Sequence, residues 1–213
     1  MFATCTGHPR GVTGAQLGFG RTRLYGSRMP DVIVIGDGPG GLSAALFLAK
    51  NKLDVVVFGE DKTAMNYALV RNYLGIAEIL GTDFQRIARK QAADFGAQLR
   101  EEHVQTLAAG SGGAWSVTLA SGETLTAKYL VLSEGKAPKL AKQIGLELDE
   151  QTGIATDKNA KSRLDGVYVV GRSARPGRSQ AIISAGDGAA AAIDILSREK
   201  NESFVDWDEP PKS

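Results

Sequence analysis

The apolar residues of this chain fall into short blocks whose spacing changes from strand-like to helical and back. "DVIVIGDGPGGLSAALFLAKN" opens with an apolar run, Asp31 to Ile35, that is short and bounded by glycine, which predicts a buried strand. The alanine- and leucine-rich stretch behind the glycines predicts a helix from about Gly40 to Lys50. "LDVVVF", ending at Phe58, reads as a second buried strand and completes a βαβ unit. Further on, "GTDFQRIARKQAADFG" sets Phe84, Ile87, Ala88 and Phe95 at helical spacing, with Thr82 or Asp83 as N-cap. "AWSVTLASGETLTAKYLVL" alternates like a hairpin that turns at Ser121 and Gly122. A closing strand, "VYVV", precedes a last helix beginning near Gln180 and Ala181. This order predicts an α/β fold in three layers, with a central, mainly parallel sheet and a small antiparallel β-meander.

Chemistry enters at the first glycine turn. Gly36, Gly38 and Gly41 supply G-x-G-x-x-G, with Pro39 and Gly40 between them. The first glycine permits the sharp turn, the second lets a pyrophosphate approach the backbone, and the third lets helix pack on strand. Free amides at the helix start favour negative charge. Alone the pattern is weak, but here it follows an apolar strand, opens a helix and is followed by a second strand. An acidic residue is expected at the tip of that second strand to bind the adenosine ribose. Phe58 and Gly59 stand there instead, so Glu60 is nominated, against the alternative that it belongs to a solvated turn.

With 213 residues the chain can bury one sizeable core. Its 25 Lys and Arg nearly balance 24 Asp and Glu, so no overall field argues for nucleic acid or an anionic membrane. No apolar run approaches the roughly 18 residues of a membrane span, and a cytoplasmic location is expected. Cys5 is the only cysteine, and His8 and His103 are the only histidines. That count excludes an intramolecular disulfide and a Cys-x-x-Cys pair within this sequence, and no metal site is expected. His103, among charged neighbours, reads as a surface or structural residue. Residues 1–28 hold four arginines, six glycines and no acid. They read as a disordered extension, as an organelle transit sequence, or as sequence ahead of a true start at Met29. One domain is expected over 29–200, followed by a flexible acidic tail over 201–213.

From about Asp31 to Ile195 the chain resembles the thioredoxin reductase group of FAD-dependent pyridine nucleotide-disulfide oxidoreductases. "IGDGPGGLSAALFLAK" looks like that group's FAD fingerprint, and "NYLG", starting at Asn72, resembles its Asn-aromatic-Pro-Gly turn beside the flavin. "YLVLSEG", ending at Gly135, stands where the group has a strand closed by Ala-Thr-Gly. "GVYVVGR", with Gly171, and "RSQAIISAGDGAAAAIDI" match the closing strand and the helix whose first amides face the flavin. The resemblance implies a Rossmann-like FAD-binding domain, with Gln180 and Ala181 at the flavin's pyrimidine carbonyl and the backbone of Val104 beside the adenine. It also implies a homodimer, and makes Phe204 and Trp207 candidates to stack on an exposed flavin.

Two departures alter the expected mechanism. Members of the group carry an NADPH-binding unit, usually with Cys-x-x-Cys, between the two flavin-binding segments; here only Lys136 to Asp165 intervenes. The halves 29–135 and 154–200 are thus joined by a short linker. The expected activity is that of an FAD-dependent oxidoreductase exchanging hydride or electrons with an external donor or acceptor, small molecule or protein, without a disulfide relay. No side chain is a compelling acid, base or nucleophile, so a non-catalytic FAD- or nucleotide-binding sensor or docking module is the alternative. The second departure is Arg172, where the group has an aspartate that accepts from the ribityl chain. Guanidinium only donates, so Arg172 is expected to donate to a ribityl hydroxyl or to pair with phosphate. Arg175 and Arg178 extend this basic loop and are candidates for an anion or partner site, or for solvated positions.

Overall fold

A computed structural model describes residues 29–211; the expectations for residues 1–28 lie outside them. The chain runs β1 (Val32–Ile35), α1 (Pro39–Lys50), β2 (Val55–Phe58), the ribbon β3 (Leu69–Val70) and β4 (Ile79–Leu80), α2 (Gly81–Asp94) and β5 (Gln98–Arg100). There follow β6 (Val104–Ala109), β7 (Trp115–Leu119), β8 (Thr124–Ala127), β9 (Tyr129–Leu132), α3 (Lys139–Gln143), the ribbon β10 (Leu148–Asp149) and β11 (Gly153–Ile154), β12 (Val167–Val169) and α4 (Ala181–Lys200). Five strands form one parallel sheet in the order β12-β9-β1-β2-β5. A separate antiparallel sheet, β6-β7-β8, is the expected meander.

Alternation along the strands divides the core into two. Val32, Val34, Val55, Val57 and Val131 point to the layer of α1, α2 and α4. Ile33, Ile35, Val56, Phe58, Leu130 and Leu132 point the other way, onto Val117, Leu119 and Trp115 of the meander. Both faces of the parallel sheet are therefore covered, which explains why its strands read as unbroken apolar runs.

One expectation is corrected. Neither Thr82 nor Asp83 caps α2, which starts at Gly81 behind Leu80 without a side-chain cap. A close approach fixes that start: the Gly81 amide donates to Ala68 O at 2.8 Å, and a Cβ at Gly81 would lie 1.7 Å from Met65 O. The acidic tail makes side-chain contacts with α1 as far as Asp208. Lys50 donates to Asp206 at 2.9 Å and to Asp208 at 2.5 Å, while Phe204 packs on the helix-side core beneath Lys200. No helix among the described residues is long and apolar enough to cross a membrane.

Candidate functional site

Chain order reverses at β1. The connection through α1 carries the chain to β2 on one side, and the later strand β9 lands on the other. In open α/β sheets such a reversal leaves a crevice outside the carboxyl ends of the strands. A cleft of about 810 Å³ opens there, bordered by Gly36 after β1, Gly59 after β2 and Ser133 after β9. This volume is toward the upper end of the usual range for ligand sites.

The three fingerprint glycines have distinct physical reasons. Gly36 takes φ +98°, and a Cβ there would lie 2.1 Å from Ser133 O, so turn and packing both demand glycine. At Gly41 a Cβ would meet Gly36 O at 2.0 Å, which fixes how closely helix follows strand. Gly38 differs. Its φ of −71° suits any residue, and the nearest atom to a Cβ is Thr63 Oγ1 at 3.4 Å, an ordinary contact. The protein does not require glycine at 38; an object entering the cleft would.

Two helices begin at this cleft with bare N-termini. α1 has Gly38 as N-cap, proline at its first position, no side-chain cap and no acidic residue in its first turn. α4 likewise has no side-chain cap behind Gln180 and no acid in its first turn. Pro39, Gly40, Gln180, Ala181 and Ser184 all border the cleft. Unpaired amides and two dipole ends thus offer positive potential at separate places in one crevice.

Most of the other expected residues meet here. Asn72 donates from Nδ2 to Gln180 Oε1 at 2.9 Å, tying the "NYLG" turn to the start of α4. Gly135 and Gly171, at φ +77° and +69°, are brought together by Ser173, whose hydroxyl donates to Gly135 O at 2.8 Å. Val104, Glu60 and the exposed Arg172 border the cleft, whereas Gly41 acts behind it through packing. Lys62 donates to Glu60 at 2.8 Å and holds that carboxyl below its ordinary value. Arg175 and Arg178 do not border the cleft, and Arg175 donates from Nε to both oxygens of Asp187 at 2.9 Å. Its Nε is thus engaged within the chain. Phe204 and Trp207 follow α4, whose 20 residues span about 30 Å from the cleft. They do not reach it.

Several bordering residues escaped the sequence reading. Asp37 is buried inside the glycine loop, in an ion pair with Arg89. Glu134, in the strand-closing "SEG", accepts from the amides of Leu140 at 2.8 Å and Ala141 at 2.9 Å, so it caps α3 and pins the linker to the cleft wall. Burial pushes its carboxyl up, against those amides. His103 borders the cleft too, with Nδ1 3.5 Å from Glu60 Oε2. An acid inside a phosphate loop and another in place of a small polar residue were the available signals for the first two.

Comparison with known proteins agrees with this geometry. The family model described as pyridine nucleotide-disulphide oxidoreductase matches residues 30–77 and 68–188. A bifunctional thioredoxin reductase/thioredoxin of Mycobacterium leprae is 33% identical over 79% of this chain and 35% of its own length. A thioredoxin reductase of Streptomyces clavuligerus is 35% identical over 51% of this chain and 35% of its own. The chain thus spans about a third of the length of these relatives. Among solved structures, a thioredoxin reductase from Gloeobacter violaceus superimposes with a TM-score of 0.76 at 18% identity, covering 84% of this chain and 99% of that one. Likeness at that identity speaks for the fold. Taken with the matched family model, it places the chain in the pyridine nucleotide-disulphide oxidoreductase family, among the thioredoxin reductase-like FAD-binding flavoproteins.

Proposed function

We propose that the chain is an FAD-dependent oxidoreductase that exchanges hydride or electrons with a donor or acceptor arriving from outside this segment. The observation that carries the reading is the pair of uncapped helix N-termini, α1 and α4, opening on one cleft. A dinucleotide with a pyrophosphate in the middle and a carbonyl-bearing ring at one end fits two such positive places. The Gly40 amide, at the start of α1, would take the pyrophosphate, with Gly38 giving it room. Ala181, at the start of α4, would donate to the ring carbonyl, and the Asn72–Gln180 bond holds that end in place. When bound, FAD supplies the redox chemistry, and the protein supplies position and electrostatics.

What favours an external partner is the segment between β9 and β12. It contains α3 and the β10–β11 ribbon, and Cys5 is the chain's only cysteine. Lys136, Lys139 and Arg172 border the cleft with no carboxylate partner among the described residues, so the partner in this reading carries negative charge. Arg178, exposed on the same loop as Arg172, extends this basic surface. Pairing of two copies belongs to the same proposal. Leu69 and Leu80, opposite one another across β3–β4, and Tyr67, Leu74 and Ile182 are among the exposed apolar residues that could serve it.

An absorption spectrum of the purified chain, followed by rapid-mixing reduction with NADH and NADPH, tests the reading. A flavin spectrum with slow reduction by both nucleotides and turnover with an anionic donor or acceptor is expected. Fast reduction by either nucleotide at low concentration would refute the external-partner step. A chain that takes up FAD yet stays inert with every donor would favour the docking module instead.

A further inference from the structure

Asp37 is the one acidic residue inside the glycine loop, where a bound pyrophosphate should disfavour it. Its side chain is 6% exposed. Arg89 of α2 pairs with Oδ2, and the Asp61 amide donates to the same oxygen at 3.1 Å. Arg89 is itself held from the far side by Glu101 at 2.9 Å, and Gln85 donates to the Asp37 carbonyl at 2.5 Å. Backbone and carboxylate are both fixed. These contacts turn the carboxylate away from the start of α1 and onto the tip of β2. A Cβ at Gly59 would lie 2.3 Å from Asp37 Cγ and 2.6 Å from Oδ1, so Gly59 leaves the space that the carboxylate fills.

Oδ1 remains. No donor among the described residues reaches it, it is not sealed off by protein, and Asp37 borders the cleft. A buried, charge-compensated acceptor with one oxygen left over, at the tip of the second strand, is what a ribose diol requires. The strand itself ends there in Phe58 and Gly59, and Glu60 beyond is occupied by Lys62.

We propose that Asp37, not Glu60, accepts the hydrogen bond from the adenosine ribose hydroxyls of the bound dinucleotide, with Arg89 as the positioning residue. The carboxylate that usually comes from the second strand is delivered by the first glycine turn. A 2′-phosphate would face this carboxylate directly, while Arg89 is already committed, so the site selects dinucleotides with a free ribose. The inference rests on the FAD reading above but can fail separately from it.

The test is calorimetric binding of ADP, 2′-deoxy-ADP, ADP-ribose and 2′-phospho-ADP-ribose to the cofactor-free full chain, beside an FAD titration. The expected result is that ADP binds about tenfold or more tightly than 2′-deoxy-ADP, as for a hydrogen bond to a charged group. ADP-ribose should likewise be preferred to its 2′-phosphate. Asp37→Ala should bring the ADP to 2′-deoxy-ADP ratio close to one, while Glu60→Gln should leave it unchanged. Should Asp37→Ala unfold because Arg89, partly buried, keeps only Glu101 as a partner, the double variant Asp37→Ala/Arg89→Met removes both charges and should lose the ratio with the fold kept. A wild-type ratio near one with FAD bound overturns this inference alone, as does a ratio that survives either Asp37 variant or falls with Glu60→Gln. Failure to bind FAD or ADP at all overturns the FAD reading.

Discussion

Gly38→Ala separates what the fold needs from what the ligand needs. The new methyl meets Thr63 Oγ1 at 3.4 Å and Ser133 Oγ at 3.9 Å, both ordinary contacts, and φ −71° with ψ 178° suits alanine. Loss of a glycine N-cap costs roughly 0.5–1 kcal/mol. Reduced freedom of the unfolded chain returns about 0.4–1 kcal/mol. The cofactor-free protein should therefore melt within a few degrees of wild type. In the complex the methyl stands where the pyrophosphate must come close, and forced overpacking costs about 1–3 kcal/mol. That is roughly a 5- to 150-fold loss of affinity. Flavin fluorescence titration gives the dissociation constant, and thermal unfolding with and without FAD gives stability. The stabilisation that FAD confers on wild type should shrink in the variant. Unchanged FAD affinity would refute the assignment of this loop, and collapse of the cofactor-free variant would refute the claim that the protein does not itself need glycine there.

Other expectations follow from single contacts. Gly188→Ala puts a Cβ 2.0 Å from Gly40 O, so α1 and α4 must part; a destabilisation of about 1–3 kcal/mol is expected in urea unfolding. Tyr168→Phe removes a hydroxyl that donates to Asp194 Oδ2 at 2.6 Å from a fully buried ring, and should cost about 1.5–3 kcal/mol in the same assay. For Glu134 the folded carboxyl titrates above its ordinary value of 4.5, chiefly through burial, so its contribution to stability is present below that value and is lost as pH rises through the folded value. Glu134→Gln, which does not ionise, should therefore gain in melting temperature relative to wild type as pH is raised from about 4.5 toward neutrality. A difference that does not change with pH would contradict this.

Local period made β1, α1 and β2 legible, because an unbroken apolar run, a glycine turn and an alanine-rich helix each announce themselves within a few residues. The misreadings share one cause. The start of α2 depends on backbone contact with Met65 and Ala68, not on Thr82 or Asp83, and no window on the helix contains that information. Arg175 looked like an anion site because only its neighbours in sequence were in view. Asp187, buried on an otherwise small-residue face of α4, is the partner it meets. An isolated acid on such a face calls for a cation, and that signal was readable in "GDGAAAA". Asp37 was harder: its direction is set by the space left at Gly59 and by Arg89, neither of which follows from the fingerprint spacing.

The same reasoning explains how two segments more than 130 residues apart form one site. Gly40 and Gly188 bring the backbones of α1 and α4 together, since a Cβ at 188 would strike Gly40 O and a Cβ at 40 would strike Val170 Cγ2 at 2.9 Å. One helix begins at the phosphate end of the cleft and the other at the proposed ring end. Their separation is therefore set by a backbone contact between Gly40, at the cleft wall, and Gly188, behind it, not by flexible side chains. A cofactor that must span both ends is sensitive to that contact even though Gly188 does not border the cleft. If Gly188→Ala weakens FAD binding beyond its effect on folding, the spacing of the two helices is the property being read. Unchanged binding in a folded Gly188→Ala variant would mean that each end holds its part of the ligand independently.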